Sequence, residues 1–156
     1  MFWVEKMIID FKENSYSVFP QANDIYRVIA YVSTFVNKSD LYKFNFLKEE
    51  ITLRQIHYYK SAAEYLGLIE DNKPTELTKT IFGLDKNQLL INIMQIILRN
   101  VCFYDFFKEQ NEEKAIEYLI NRYSFSNVTA KRRLSTIKAW CKWCKVITKE
   151  NNIIIE

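Results

Sequence analysis

Glycine and proline each occur only twice in 156 residues. Tight turns lean on these two residues, glycine for positive φ and proline for a preset φ. Their scarcity argues against a many-turned β-sandwich and against a glycine-rich phosphate loop. Hydrophobic residues make up 49% of the chain and aromatics 15%, enough for a substantial core. The expectation is therefore a mainly α fold with small β-hairpins.

Apolar spacing divides the chain further. Residues 1–19 are an aromatic-rich lead-in, closed by Pro20. From Gln21 to Val36, Ile25, Val28, Ile29, Val32 and Val36 recur at helical spacing, and Asn23 or Asp24 can cap the start. Ser39-Asp40 can open a second helix carrying Leu41, Phe44 and Leu47. Thr52 and Gln55 form a capping box for a third, on which Ile56, Tyr59, Ala63 and Leu66 share a face before Gly67 ends it. Leu68-Ile69, the turn Asp71 to Pro74, and Thr75 to Thr78 predict a hairpin. Three helices and a hairpin are the parts of a winged helix.

Residues 85–108 predict one long helix. Leu89, Leu90, Ile93, Ile96, Ile97 and Val101 cover more than one face, so this helix should be central or should mediate a homodimer. Ala115, Ile116, Leu119 and Ile120 mark another helix, and Ser126 can cap a final one from about Asn127 to Lys145. Val146-Ile147-Thr148 and Ile153-Ile154-Ile155, separated by Lys149 to Asn152, read as a second hairpin. The resulting scheme is a tandem of winged helix-turn-helix units: 1–84 with its lead-in arm, a central linking helix at 85–110, and a winged-helix-like unit at 111–156.

Charge separates the two units. Residues 1–117 hold 14 Lys+Arg and 17 Asp+Glu, whereas 118–156 hold 8 and 2, with no acid from Tyr118 to Lys149. A block of one sign bears on partners more directly than the net charge of +3 does. On the final helix Lys131, Arg132, Ser135 and Lys142 lie opposite the apolar face of Leu134, Ile137 and Cys141, flanked by Arg133 and Lys138. Such a face suits a phosphate backbone; a merely solvated helix face is the alternative. Base contacts, where a helix reads DNA, come from its first turns, here Asn127, Thr129, Lys131 and Arg132. On the third helix Arg54, His57, Tyr58 and Lys60 are weaker candidates, because Glu49, Glu50 and Glu64 lie near and oppose DNA.

Cys141 and Cys144 have C-x-x-C spacing, but zinc would need two more ligands and only Cys102 and His57 stand elsewhere. Core packing is the simpler account. No catalytic residues, metal site or cofactor are expected. Three cysteines and a start lacking a basic-then-apolar leader predict a reduced, cytoplasmic chain. The longest apolar stretch, Leu89 to Leu98, is too short for a bilayer.

Pro20-Gln21-Ala22-Asn23-Asp24, Arg54-Gln55-Ile56-His57-Tyr58-Tyr59, Ala62-Ala63-Glu64-Tyr65-Leu66-Gly67-Leu68-Ile69 and Leu77-Thr78 resemble the winged-helix domain of bacterial restriction–modification and related defence proteins. Ser126-Asn127-Val128-Thr129-Ala130-Lys131-Arg132-Arg133 with Thr136 and Trp140 is similar to the S-x-x-T-A-x-R-R-x-x-T-x-x-x-W helix that follows there. The resemblance covers most of the chain beyond Phe19. One departure is that Ile81 stands where L-T-x-x-G has glycine, and Gly83 comes two residues later. The resemblance implies duplex-DNA recognition beside a nuclease or methyltransferase partner, with any nuclease activity in a separate segment. A protein–protein adaptor, or a small nuclease with an unrecognised metal site, are the alternatives.

Overall fold

A computed structural model describes residues 4–12, 18–36 and 53–156. It is mainly helical: seven helices and four short strands among the described residues. These are β1 (Glu5–Met7), α1 (Ile25–Ser33), α2 (Leu53–Tyr65), β2 (Ile69–Glu70), β3 (Lys73–Pro74), α3 (Glu76–Ile81), α4 (Lys86–Leu98), α5 (Val101–Glu109), α6 (Glu112–Tyr123), α7 (Asn127–Glu150) and β4 (Ile153–Ile155). Two compact units result, one of Asn14–Leu89 and one of Met1–Glu13 with Leu90–Glu156.

In the Asn14–Leu89 unit, Asp24 caps α1 by accepting from the Tyr26 N–H at 3.0 Å. Ile25, Val28, Ile29 and Val32 are buried as their spacing predicts, and α1 packs on α2. Helix α2 ends in a Schellman motif: Leu68 N–H donates to Ala63 C=O, Gly67 N–H donates to Glu64 C=O, and Gly67 takes φ 73°. The expected second helix, and Thr52 of the expected capping box, lie outside the described residues. The buried face of α2 is Tyr59, Ala62, Ala63 and Leu66; Ile56, placed on that face by spacing, is 38% exposed.

The first hairpin is present but shorter than expected. Ile69 faces Pro74 and Glu70 faces Lys73, and Asp71 and Asn72 both adopt positive φ, the type I′ combination that follows strand twist. Thr75 still donates its N–H to Leu68 C=O, but its hydroxyl then caps α3 by accepting from the Thr78 N–H. Leu77 and Thr78, expected as a strand, are therefore helical. The Thr78 hydroxyl turns inward and donates to Leu68 C=O, which ties α3 to the hairpin.

The 85–108 stretch is two helices, not one. Helices α4 and α5 meet at 99° across Arg99 and Asn100. Buried Asn100 explains the break: its side-chain amide donates to Ile96 and Ile97 C=O at 3.2 and 3.3 Å, closing α4. Its own carbonyl accepts from Phe103 and Tyr104, opening α5. Leu89, Ile93, Met94, Ile97 and Leu98 are fully buried, so the apolar excess that suggested a homodimer is covered within the chain. Among the described residues no single helix is long and apolar enough to cross a membrane.

The C-terminal hairpin is replaced by a longer helix and a parallel strand pair. Val146, Ile147 and Thr148 continue α7, because Ile147 and Thr148 stay in phase with the buried residues Ile137, Cys141 and Cys144. Asn151 ends the helix, its amide donating to Ile147 C=O at 2.9 Å. Strand β4 then pairs in parallel with β1, Glu5 against Ile153 and Met7 against Ile155. The lead-in, grouped by sequence with the first unit, thus supplies a strand to the C-terminal unit, and among the described residues no antiparallel hairpin follows α7.

Candidate nucleic-acid interface

Helices α6 and α7 are joined by Ser124, Phe125 and Ser126, a three-residue turn of helix-turn-helix length. Ser124 takes φ 56°, and Ser126 caps α7 by accepting from the Thr129 N–H at 3.1 Å. Both α5 and α6 pack on α7. Ala130, Ile137, Trp140 and Cys144 are completely buried, and Trp140 stacks on Phe103 at 5.2 Å between centroids. That packing fixes which side of α7 faces solvent.

The exposed side is a continuous basic track. Lys131, Ser135, Lys138, Lys142, Lys145 and Lys149 are all exposed. At 100° per residue they fall within about 80° of arc, and at 1.5 Å per residue the track runs about 27 Å. Lys131, Arg132, Lys142 and Lys149 make no ion pair among the described residues. Lys138 reaches Glu112 at 3.3 Å, a pair half open to solvent and worth about 0–1 kcal/mol. Lys145 lies 4.5 Å from the centre of the Phe107 ring.

The predicted residues separate on this geometry. Asn127, Lys131, Arg132, Ser135, Lys138 and Lys142 are exposed on α7. The Ser135 hydroxyl donates to the Arg132 carbonyl at 2.7 Å. Thr129 is half-buried and its hydroxyl is engaged with the Ser126 cap. Arg133 is half-buried, its guanidinium over the Phe125 ring at 5.7 Å. Lys149 lies on the same track beyond the expected helix end at Lys145; Lys131, Lys138 and Lys145 repeat every seven residues, as do Ser135, Lys142 and Lys149. Val128, 62% exposed in the first turn, was missed.

The remaining candidates sit on α2 of the other unit. Arg54 and His57 are exposed, and Tyr58 and Lys60 are half-buried. Arg54 donates to the Tyr58 hydroxyl and lies over its ring at 5.5 Å, so its charge is turned back on its own helix.

Cys141 and Cys144 are core thiols. Cys141 donates to Phe103 C=O at 3.2 Å, and among the described residues no group of three His, Cys, Asp or Glu comes together. Burial pushes the Cys141 thiol up to about 12, against the opposing charge of Lys145. Burial, and then the neighbouring Cys141, drive Cys144 well above the usual thiol range. The unfolded chain therefore loses these protons first, near the ordinary thiol value of 9.0. The stability tied to neutral thiols is full below about pH 9 and is lost as pH rises toward 12. Urea midpoints should fall between about pH 8 and about pH 10. A double Cys141→Ala, Cys144→Ala variant should show a smaller fall; an equal fall would refute the assignment.

No curated protein and no solved structure matches the chain. A family model does match, over residues 27–149, a span that takes in α2, the hairpin and nearly all of α7. The chain belongs to the family described as Domain of unknown function (DUF7226).

Proposed function

We propose that this protein binds duplex DNA through the exposed basic side of α7, as a recognition or accessory component of a bacterial restriction or defence system. The observation that carries the reading is the track from Lys131 to Lys149, on which Lys131, Lys142 and Lys149, like Arg132 beside them, make no ion pair among the described residues. A surface cation without an ion pair can neutralise a phosphate, releasing counterions condensed on the DNA, without first breaking a contact within the protein. The resemblance of the Asn127 to Arg133 segment to helices of restriction–modification proteins supplies the biological context. Asn127, Val128, Lys131 and Arg132 stand where the first turns of a recognition helix meet base edges, and an exposed valine suits a thymine methyl.

The test is duplex affinity against salt. About four neutralised phosphates give a slope of log K on log salt of about −4. A slope near zero, or no binding at low salt, would refute the proposal. A second reading concerns α2, where exposed Ile56 lies among Arg54, His57 and Tyr58. An apolar side chain in that setting fits a protein contact better than a phosphate contact, and makes the first unit the adaptor half of the molecule.

A further inference from the structure

A groove of about 390 Å³ opens beside the basic track. It lies between the end of α5, the start of α6 and the middle of α7. Its floor is apolar, formed by Phe106, Ala139 and Cys141, and Lys138, Lys142 and Lys145 stand around it. The volume falls within the range of small-molecule sites, and an apolar floor with few polar groups is their usual character. Glu112 also lines the groove, but it is engaged by Lys138, so the surround keeps a net positive charge. The Cys141 thiol, buried and hydrogen-bonded to Phe103 C=O, is a neutral part of that floor.

We infer that this groove receives one unpaired nucleotide of a DNA strand, with its base against Phe106 and Ala139 and its phosphate on Lys142 and Lys145. The inference rests on the DNA-binding reading and deepens it. The same lysines belong to the track, so a strand held by its phosphates is led past the opening. A paired base is kept out by stacking and pairing, which cost a few kcal/mol to break. A base that is already single-stranded enters without that cost. The preferred substrate is therefore a duplex carrying an unpaired stretch: an overhang, a gap or a junction.

Two measurements on the full chain test this. Blunt duplexes and duplexes of equal length with a short single-stranded overhang are compared for affinity at one salt concentration. The inference expects at least about fivefold tighter binding of the overhang, beyond what the added phosphates contribute at that salt. Ala139→Met then fills the groove while leaving every lysine in place, and methionine is a good helix former. It should remove the overhang preference and leave blunt-duplex affinity within about twofold. Equal affinity for the two DNAs in the unmodified protein overturns the inference and leaves the duplex reading standing. Failure to bind either DNA refutes both.

Discussion

Replacing Lys131, Arg132 and Lys142 together by alanine should flatten the salt dependence of duplex binding by about three units of slope. All three are exposed, and none makes an ion pair among the described residues, so their loss removes phosphate contacts without leaving a buried charge. At physiological salt the affinity should fall at least about 100-fold, because three exposed α7 cations that make no ion pair are gone. Stability should move by no more than about 0.5 kcal/mol, the usual range for surface positions away from caps and cores. Alanine at Arg54 and His57 is the internal contrast. Arg54 is engaged with Tyr58 on its own helix, so this pair should alter the slope by less than one unit. Equal losses from the two sets would move the contact surface off α7. A large loss of stability in the triple variant would mean that its binding defect reports unfolding.

Most of what the sequence disclosed was local. The Asp24 and Ser126 caps and the Gly67 terminus depend on residues two to five positions apart, and the structure has all three. The exposed side of α7 was readable for the same reason, since the apolar spacing of Ala130, Leu134, Ile137 and Cys141 fixes what faces away. Errors arose where local signals competed. Ile56 and Tyr59 fit one helical face, but Tyr59, Ala62 and Ala63 fit another, and the second is the buried one. Thr75 to Thr78 have strand-like composition, yet a threonine hydroxyl that caps a backbone N–H favours helix. Across residues 85–108 the apolar pattern runs through the bend, and only the polar pair Arg99 and Asn100 marks where the helix stops.

Other features had no local signature. Ile153 to Ile155 reads plainly as a strand, with Ile153 and Ile155 buried and Ile154 exposed. Its partner, Glu5 to Met7, lies at the other end of the chain, and nothing near either segment names the other. The nearer segment at 146–148 offered an easier pairing, which the phase of α7 denies. The groove was equally hidden, since Phe106, Glu112 and Ala139 come from three helices and meet only in the folded unit.

Trp140→Ala should be the most destabilising single substitution in the C-terminal unit. Trp140 is completely buried and stacks on Phe103 with 22° between the ring planes. The next residue, Cys141, hydrogen-bonds the carbonyl of that same phenylalanine. Two consecutive residues thus hold α7 against α5, and alanine removes the larger contact and leaves a cavity. Truncations of this kind cost about 3–5 kcal/mol, a large part of the roughly 5–15 kcal/mol that holds a domain folded. Trp140→Phe keeps a ring against Phe103 and should cost clearly less. Urea unfolding followed by circular dichroism ranks the three proteins. A Trp140→Ala variant within about 1 kcal/mol of the unmodified chain would show that the stack does not anchor the helix. The ranking also bears on function, because the basic track has its shape only while α7 stays seated. DNA affinity in the alanine variant should fall in step with the folded fraction, whereas the lysine and arginine variants lose it while fully folded.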